Sequence, residues 1–260
     1  RLGLKAKIML MAIALGVIPV MVIGAIAYQV TATYVTRQVK LTQQAHTNQL
    51  ATMLENYIVS RKNEVTSFAG STIFTNPNVI ERVTISQKKA ALNAFQNQNK
   101  FYDNITYLDL QGNSLFQSQS EFPLVKNLSN RPYVQEAIAR KQAVMNEIST
   151  SPLSGELQME FAVPVKNGWT DEVIGVMHFR IPGEQIKPIF TQLLTENEQW
   201  LLVNTQNTVV ASTVENLVNQ PLAKYYPALQ VAHAAKQMVT VSSDNPQSTG
   251  QEQLVDRKSV

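Results

Sequence analysis

The chain has 260 residues, 44% of them hydrophobic and only 16% charged, with three histidines and no cysteine. Lacking cysteine, it has no disulfides and no thiolate metal sites, and its length suits one membrane anchor with one or two compact modules. The formal net charge of +3 equals the contribution of Arg1, Lys5 and Lys7, leaving 19 basic and 19 acidic residues elsewhere. The excess is a membrane flank, and no basic–aromatic platform points to nucleic acid.

Residues 8–36 contain no Asp, Glu, Lys or Arg. Within them Ile8–Tyr28 would span about 31 Å as a helix, matching a hydrocarbon core of about 30 Å. Lys5 and Lys7 precede this segment, and no charge follows it until Arg37. The positive-inside rule then leaves residues 1–7 as a cytoplasmic flank and exports everything after Tyr28. The localisation expected is the inner (plasma) membrane, with a single pass and the rest periplasmic. Ala25–Ala27 would suit a signal cleavage site, the alternative to a retained anchor. The start at Arg1 and the strand-like end "EQLVDRKSV" give the expectation of a fragment.

Residues 37–75 read as a stalk helix. Leu50, Leu54, Tyr57, Arg61, Val65, Phe68 and Thr72 recur at helical spacing, widened by Met53, Ile58 and Ala69 into a core-facing band. "TNPNV" at 75–79 ends it, with Asn76 or Asn78 as the next cap. A second amphipathic helix is expected over 79–99. "NITYLDLQGNSLFQSQ" (104–119) alternates and turns at "QGN", the mark of a hairpin. "SNRPYVQEAIARK" (129–141) follows as a helix, with Asn130 as N-cap and Pro132 in its first turn. Then come "AVMNEIST", "LQMEFAVPVK" and "VIGVMHFRI", three antiparallel strands.

The pattern then restarts. A connecting helix is expected at 181–194, a strand–turn–strand unit at 199–213 and a helix at 220–236, with strands at "QMVTVSS" and "EQLVDRKSV". The fold class is α+β: a transmembrane helix, a long stalk helix and two antiparallel-sheet subdomains. The first subdomain covers 76–181, and the second, incomplete, covers 182–260.

This order of elements resembles the extracytoplasmic double Cache domain of bacterial methyl-accepting chemotaxis proteins and related transmembrane receptors. The carrying segments are "YLDLQGNSLFQS", "NRPYVQEAIARKQ", "STSPLSGELQMEFAVPVK" and "VIGVMHFRI", with "LLVNTQNTVVAST" resembling the membrane-proximal subdomain. The resemblance implies two PAS-like subdomains, a homodimer and a small-molecule ligand in the membrane-distal one. It also implies a cytoplasmic signalling module beyond the chain end, and no enzyme activity or cofactor. In the amino-acid-binding branch an arginine at the helix start grips the ligand carboxylate; Arg131 matches it, and Tyr133 matches a neighbouring aromatic. Lys126 stands where another aromatic is expected, Val134 replaces a third, and Arg180 occupies the place of an acid. These departures point away from an α-amino acid.

Read from the residues alone, Arg131 is a cation at the positive end of a helix dipole, where anions are favoured. A guanidinium beside free backbone N–H groups makes an anion site. On strand 173–181, His178 and Arg180 share one face by period two, opposite Gly175, Met177 and Phe179. The candidate ligand-binding residues are therefore Arg131, Tyr133, His178, Arg180, Lys126 and Tyr107, the last on the first hairpin strand. The histidines lack metal-ligand spacing, and no phosphate loop, nucleophile motif or acid–base pair is legible. The leading expectation is a chemoreceptor sensor region binding a small ligand, an anion on the reading of Arg131. The alternatives are the sensor of a transmembrane histidine kinase or nucleotide cyclase/phosphodiesterase, an exported enzyme, and an adhesion module.

Overall fold

The computed structural model describes residues 3–121, 124–151, 154–192, 201–227, 239–240 and 254–255. A single helix, α1 (Leu4–Ala69), takes in both the apolar segment and the stalk. Its 66 residues extend about 99 Å at the standard rise. Pro19 lies inside it without ending it. Leu15–Val35, with mean hydropathy 1.9, is long and apolar enough to cross a membrane and is not buried by any of the described residues. That window lies further along than the expected Ile8–Tyr28.

The stalk stops earlier than 75. Gly70 caps α1 and Ser71 turns to an extended backbone, while the Ser71 hydroxyl donates to Phe68 O at 2.7 Å, satisfying a terminal carbonyl. Two single-turn helices follow, α2 (Thr72–Thr75) and α3 (Pro77–Ile80), the latter capped by Asn76. The next long helix, α4 (Ile85–Gln98), begins later than 79 because Thr84 and Gln87 close a reciprocal capping box.

The central sheet contains β1 (Asn104–Leu108), β2 (Ser114–Gln117), β3 (Val144–Met145), β4 (Ser149–Thr150), β5 (Leu157–Lys166) and β6 (Val173–Pro182). Its order is β2-β1-β6-β5-β3, with β4 also on β5, and every pairing is antiparallel. Helix α5 (Pro132–Arg140) connects β2 to β3. The β1–β2 turn needs Gly112, whose φ is +78° and where an added Cβ would collide with the Ser129 backbone.

Each sheet face packs separately. On the stalk side Ile105, Met159, Phe161, Val163, Met177 and Phe179 meet Val65, Ala69 and Phe74. Phe68 stacks on Phe95 at 4.0 Å and meets Phe179 edge-on at 6.3 Å. Buried side chains of this size each contribute about 1.5–3 kcal/mol, so this core holds the stalk to the sheet. On the other face Leu108, Ala162 and Val176 pack against Tyr133, Val134 and Ala137 of α5. The chain thus forms three layers: stalk, sheet and α5.

The second unit starts at α6 (Gly183–Thr191). The antiparallel pair β7 (Leu201–Val203) and β8 (Val209–Ser212) follows, then a 3-10 turn (Glu215–Leu217) and α7 (Leu222–Tyr225). Val209, Leu217 and Leu222 form its small core. Of the helix expected at 220–236, residues 228–238 lie outside the described residues. The last two strands appear as β9 (Val239–Thr240) and β10 (Leu254–Val255), paired antiparallel.

Candidate functional site

The layer between α5 and the sheet is where buried polar groups gather. Period two along β6 turns Val176, His178 and Arg180 to this face, and the register sets His178 opposite Ala162 and Thr106, and Arg180 opposite Glu160 and Asn104. Gln158, Glu160, His178 and Arg180 are all buried. From the other side α5 contributes Tyr133, also buried, and Arg131, half-buried.

Arg131 itself is the N-cap residue, with φ −90° and ψ 113°, and its side chain makes no capping bond. Asn130, the expected cap, lies one residue further out. Pro132 takes the first helical position, where its fixed φ and missing N–H cost nothing. The helix therefore begins on a guanidinium instead of a side-chain acceptor. Among the described residues that guanidinium has no hydrogen-bond or ion-pair partner.

Its neighbours are matched. Arg180 donates through Nε to Gln158 Oε1 at 2.8 Å and pairs through a terminal nitrogen with Asp103 Oδ2. Burial lifts the Asp103 carboxyl to about 6 even though Arg180 pulls it down; its Oδ1 is buried without a partner among the described residues. His178 Nε2 lies 3.1 Å from Tyr133 Oη and 3.3 Å from Glu160 Oε1. Asn146 donates to Glu160 Oε2 at 3.0 Å, and its backbone N–H donates to Glu160 O at 2.8 Å. Burial raises the Glu160 carboxyl, but His178, Asn146 and Arg131 more than reverse this and hold it at about 2. Burial and the Glu160 charge push the Tyr133 hydroxyl up, so it keeps its proton. The site is a buried hydrogen-bonded network with Arg131 at its edge, near enough to the Glu160 charge to stabilise it but making no hydrogen bond or ion pair among the described residues.

The structure brings together Arg131, Tyr133, His178 and Arg180, four of the six expected residues. Lys126 is exposed in the segment leading to α5, and its carbonyl accepts from Ser114 N–H at 3.0 Å. Tyr107 belongs to the opposite face. It stacks on Phe116 at 4.9 Å in the stalk-side core, and a Cβ at Gly175 would collide with its hydroxyl. Period two explains the difference: Thr106 and Leu108 face α5, so Tyr107 cannot. Glu160, Asp103, Gln158 and Asn146 went unread as site residues. The available signal was a polar residue at every second position, Gln158 and Glu160, within an otherwise apolar strand.

One contact leads out of the site. Glu147, next to Asn146, accepts from the Thr205 N–H at 2.6 Å and the Thr205 hydroxyl at 3.0 Å. Thr205 lies in the β7–β8 turn, so the segment touching Glu160 also holds the second unit. Among the described residues no cluster of three metal-ligating side chains occurs.

The Cache domain family profile matches residues 27–260. The chain belongs to the Cache domain family. Solved Cache domains of similar fold include the sensory domain of the Campylobacter jejuni chemoreceptor Tlp3 with isoleucine bound. It is 14% identical with a TM-score of 0.60, over 82% of this chain and 83% of that one. The ligand-binding domain of the Pseudomonas aeruginosa PAO1 amino acid chemoreceptor PctB with L-Arg is 16% identical, TM-score 0.56, over 74% and 78%. That of PctC with GABA is 16% identical, TM-score 0.52, over 76% and 82%. At these identities the likeness establishes the Cache fold. A search of curated proteins returned no match. An α+β Cache fold behind one apolar N-terminal helix fits a single-pass membrane protein.

Proposed function

We propose that this Cache domain is the ligand-sensing region of a bacterial transmembrane chemoreceptor, and that Arg131 grips an acidic group of a small ligand. The observation that carries the reading is hydrogen-bond matching: Arg180 is held by Asp103 and Gln158, Glu160 by His178 and Asn146, and Arg131, at the start of α5, has no such partner among the described residues. The solved Cache domains with amino acids or GABA bound support a small-molecule ligand. The ligand need not be an α-amino acid, because Arg180 stands in the place of the expected acid and is already paired.

In this reading the ligand draws α5 onto the sheet and shifts the balance between two packings of the exported part, by as much as its affinities for the two differ. The Asn146–Glu147 segment passes the shift to the β7–β8 hairpin, and the stalk passes it to the membrane. A homodimer and a cytoplasmic output module complete the receptor. A thermal-shift screen of the chain in mild detergent against organic acids, amino acids, amines and purines tests this. Stabilisation by compounds carrying a carboxylate or phosphate supports it; stabilisation by uncharged or cationic compounds alone contradicts it.

A further inference from the structure

A concavity lies away from that site. A cleft of about 380 Å³ opens between α1, the turn after α5 and the end of β5. Lys62 lines it from the stalk, Lys141 from the turn, and Lys166 from the strand. Ala69, Val163 and Pro164 give it an apolar floor. No carboxylate is among the described residues that line it. Lys166 is neutralised from outside by Asp171, at 3.1 Å. Lys62 and Lys141 are exposed and have no acidic partner among the described residues.

Two ammonium groups without an acidic partner, with a third already paired, border one concavity and favour anions there. The backbone of Lys141 adds a second observation. It caps α5 in the left-handed region, at φ 53° and ψ 33°, a position where glycine is the usual residue and a side chain costs about 1–2 kcal/mol. A cation there also meets the negative end of the α5 dipole, but a lysine elsewhere in the last turn would gain as much without the strain. Arg140 already stands in that turn. In this conformation Lys141 lines the cleft.

From this we infer that the cleft is a second binding site, for a small organic anion of two or more charges whose carbon skeleton rests on the apolar floor. It is separate from the Arg131 site: Arg131 and Lys141 flank opposite ends of α5, about 15 Å apart at the standard helical rise. Its walls are the stalk and the α5–β3 turn, so an occupant ties those two elements together and biases the stalk independently of Arg131.

The test is calorimetric titration of the whole chain in nanodiscs with citrate, and with pyrophosphate as a second probe, at two ionic strengths. The variants are Lys62→Gln with Lys141→Gly, and separately Arg131→Ala. Lys141→Gly removes the charge while relieving the backbone, so lost binding there is not lost folding. We expect saturable one-to-one binding that weakens as salt rises, falls at least tenfold in the lysine double variant, and is unchanged in Arg131→Ala. The proposal is overturned if neither probe saturates at millimolar concentration, or if the double variant binds as the unchanged chain does. Loss of binding in Arg131→Ala alone would place the anion at the other site and also overturn it.

Discussion

Replacing Glu160 by glutamine tests the buried network most sharply. The side chain keeps its shape and can still meet Asn146, but it loses the charge that faces His178 and Arg131. In the folded chain the carboxyl sits at about 2 against an ordinary 4.5. A carboxylate depressed on folding contributes stability above the ordinary value and loses it as pH falls towards the folded one. A shift of about 2.5 units at 1.36 kcal/mol each corresponds to roughly 3 kcal/mol at neutral pH. By the same linkage, less than half of it, about 1.4 kcal/mol, remains near pH 3. The Glu160→Gln variant should therefore be destabilised by about 2–3 kcal/mol at pH 7, or about 5–10 °C in melting temperature. Urea unfolding followed by tryptophan fluorescence at pH 7 and pH 3 reads both values. A loss of the same size at both pH values would refute the electrostatic account and leave only packing. No loss at pH 7 would mean that desolvation cancels the network's attraction.

Three further outcomes follow from the same geometry. Asp103 is shifted the other way, to about 6 from 3.8, so its contribution is full below about 3.8 and disappears as pH rises through about 6; Asp103→Asn should remove that gain in stability between pH 7 and pH 4, read by urea unfolding at the two pH values. Glu147→Ala should leave ligand affinity within about threefold while abolishing the ligand-induced hydrogen-exchange protection of the Leu201–Ser212 hairpin, since one bidentate contact of about 1–3 kcal/mol is lost far from the ligand; retained protection would remove Glu147 from the coupling route. Gly175→Ala puts a methyl group onto the Tyr107 hydroxyl and Leu108 carbonyl, an overpacking cost of about 1–3 kcal/mol that a thermal melt would detect as a lowered midpoint.

Element order was legible because each signal is local. Alternation marks the strands, a glycine turn marks the hairpin, and helical spacing marks the stalk. The two faces of β6 were legible too, since period two holds along any regular strand, and so Arg180 and His178 fall together. What required the fold was the cross-strand register: only the pairing of β5 with β6 sets Glu160 opposite Arg180, and nothing in the spacing of the two strands states it. Tyr107 was misplaced for a related reason. Its residue type suits a pocket wall, while its parity on β1 assigns it to the stalk side. The helix boundaries moved where a polar side chain, Ser71 or Thr84, supplied a better end than the nearest proline. Arg131 could be singled out as an ill-placed cation, but its lack of a partner depends on Arg180 having Asp103 and Glu160 having His178.

The central claim is that Arg131 holds the ligand's acidic group. It is tested most directly by calorimetric titration of the best-binding acid from the screen into the unchanged chain, Arg131→Lys and Arg131→Ala. One charge-assisted bidentate contact is worth about 1.5–3 kcal/mol, which predicts a loss of about ten- to hundredfold in Arg131→Ala and a partial loss in Arg131→Lys. An acid that binds all three with equal affinity would contradict the account.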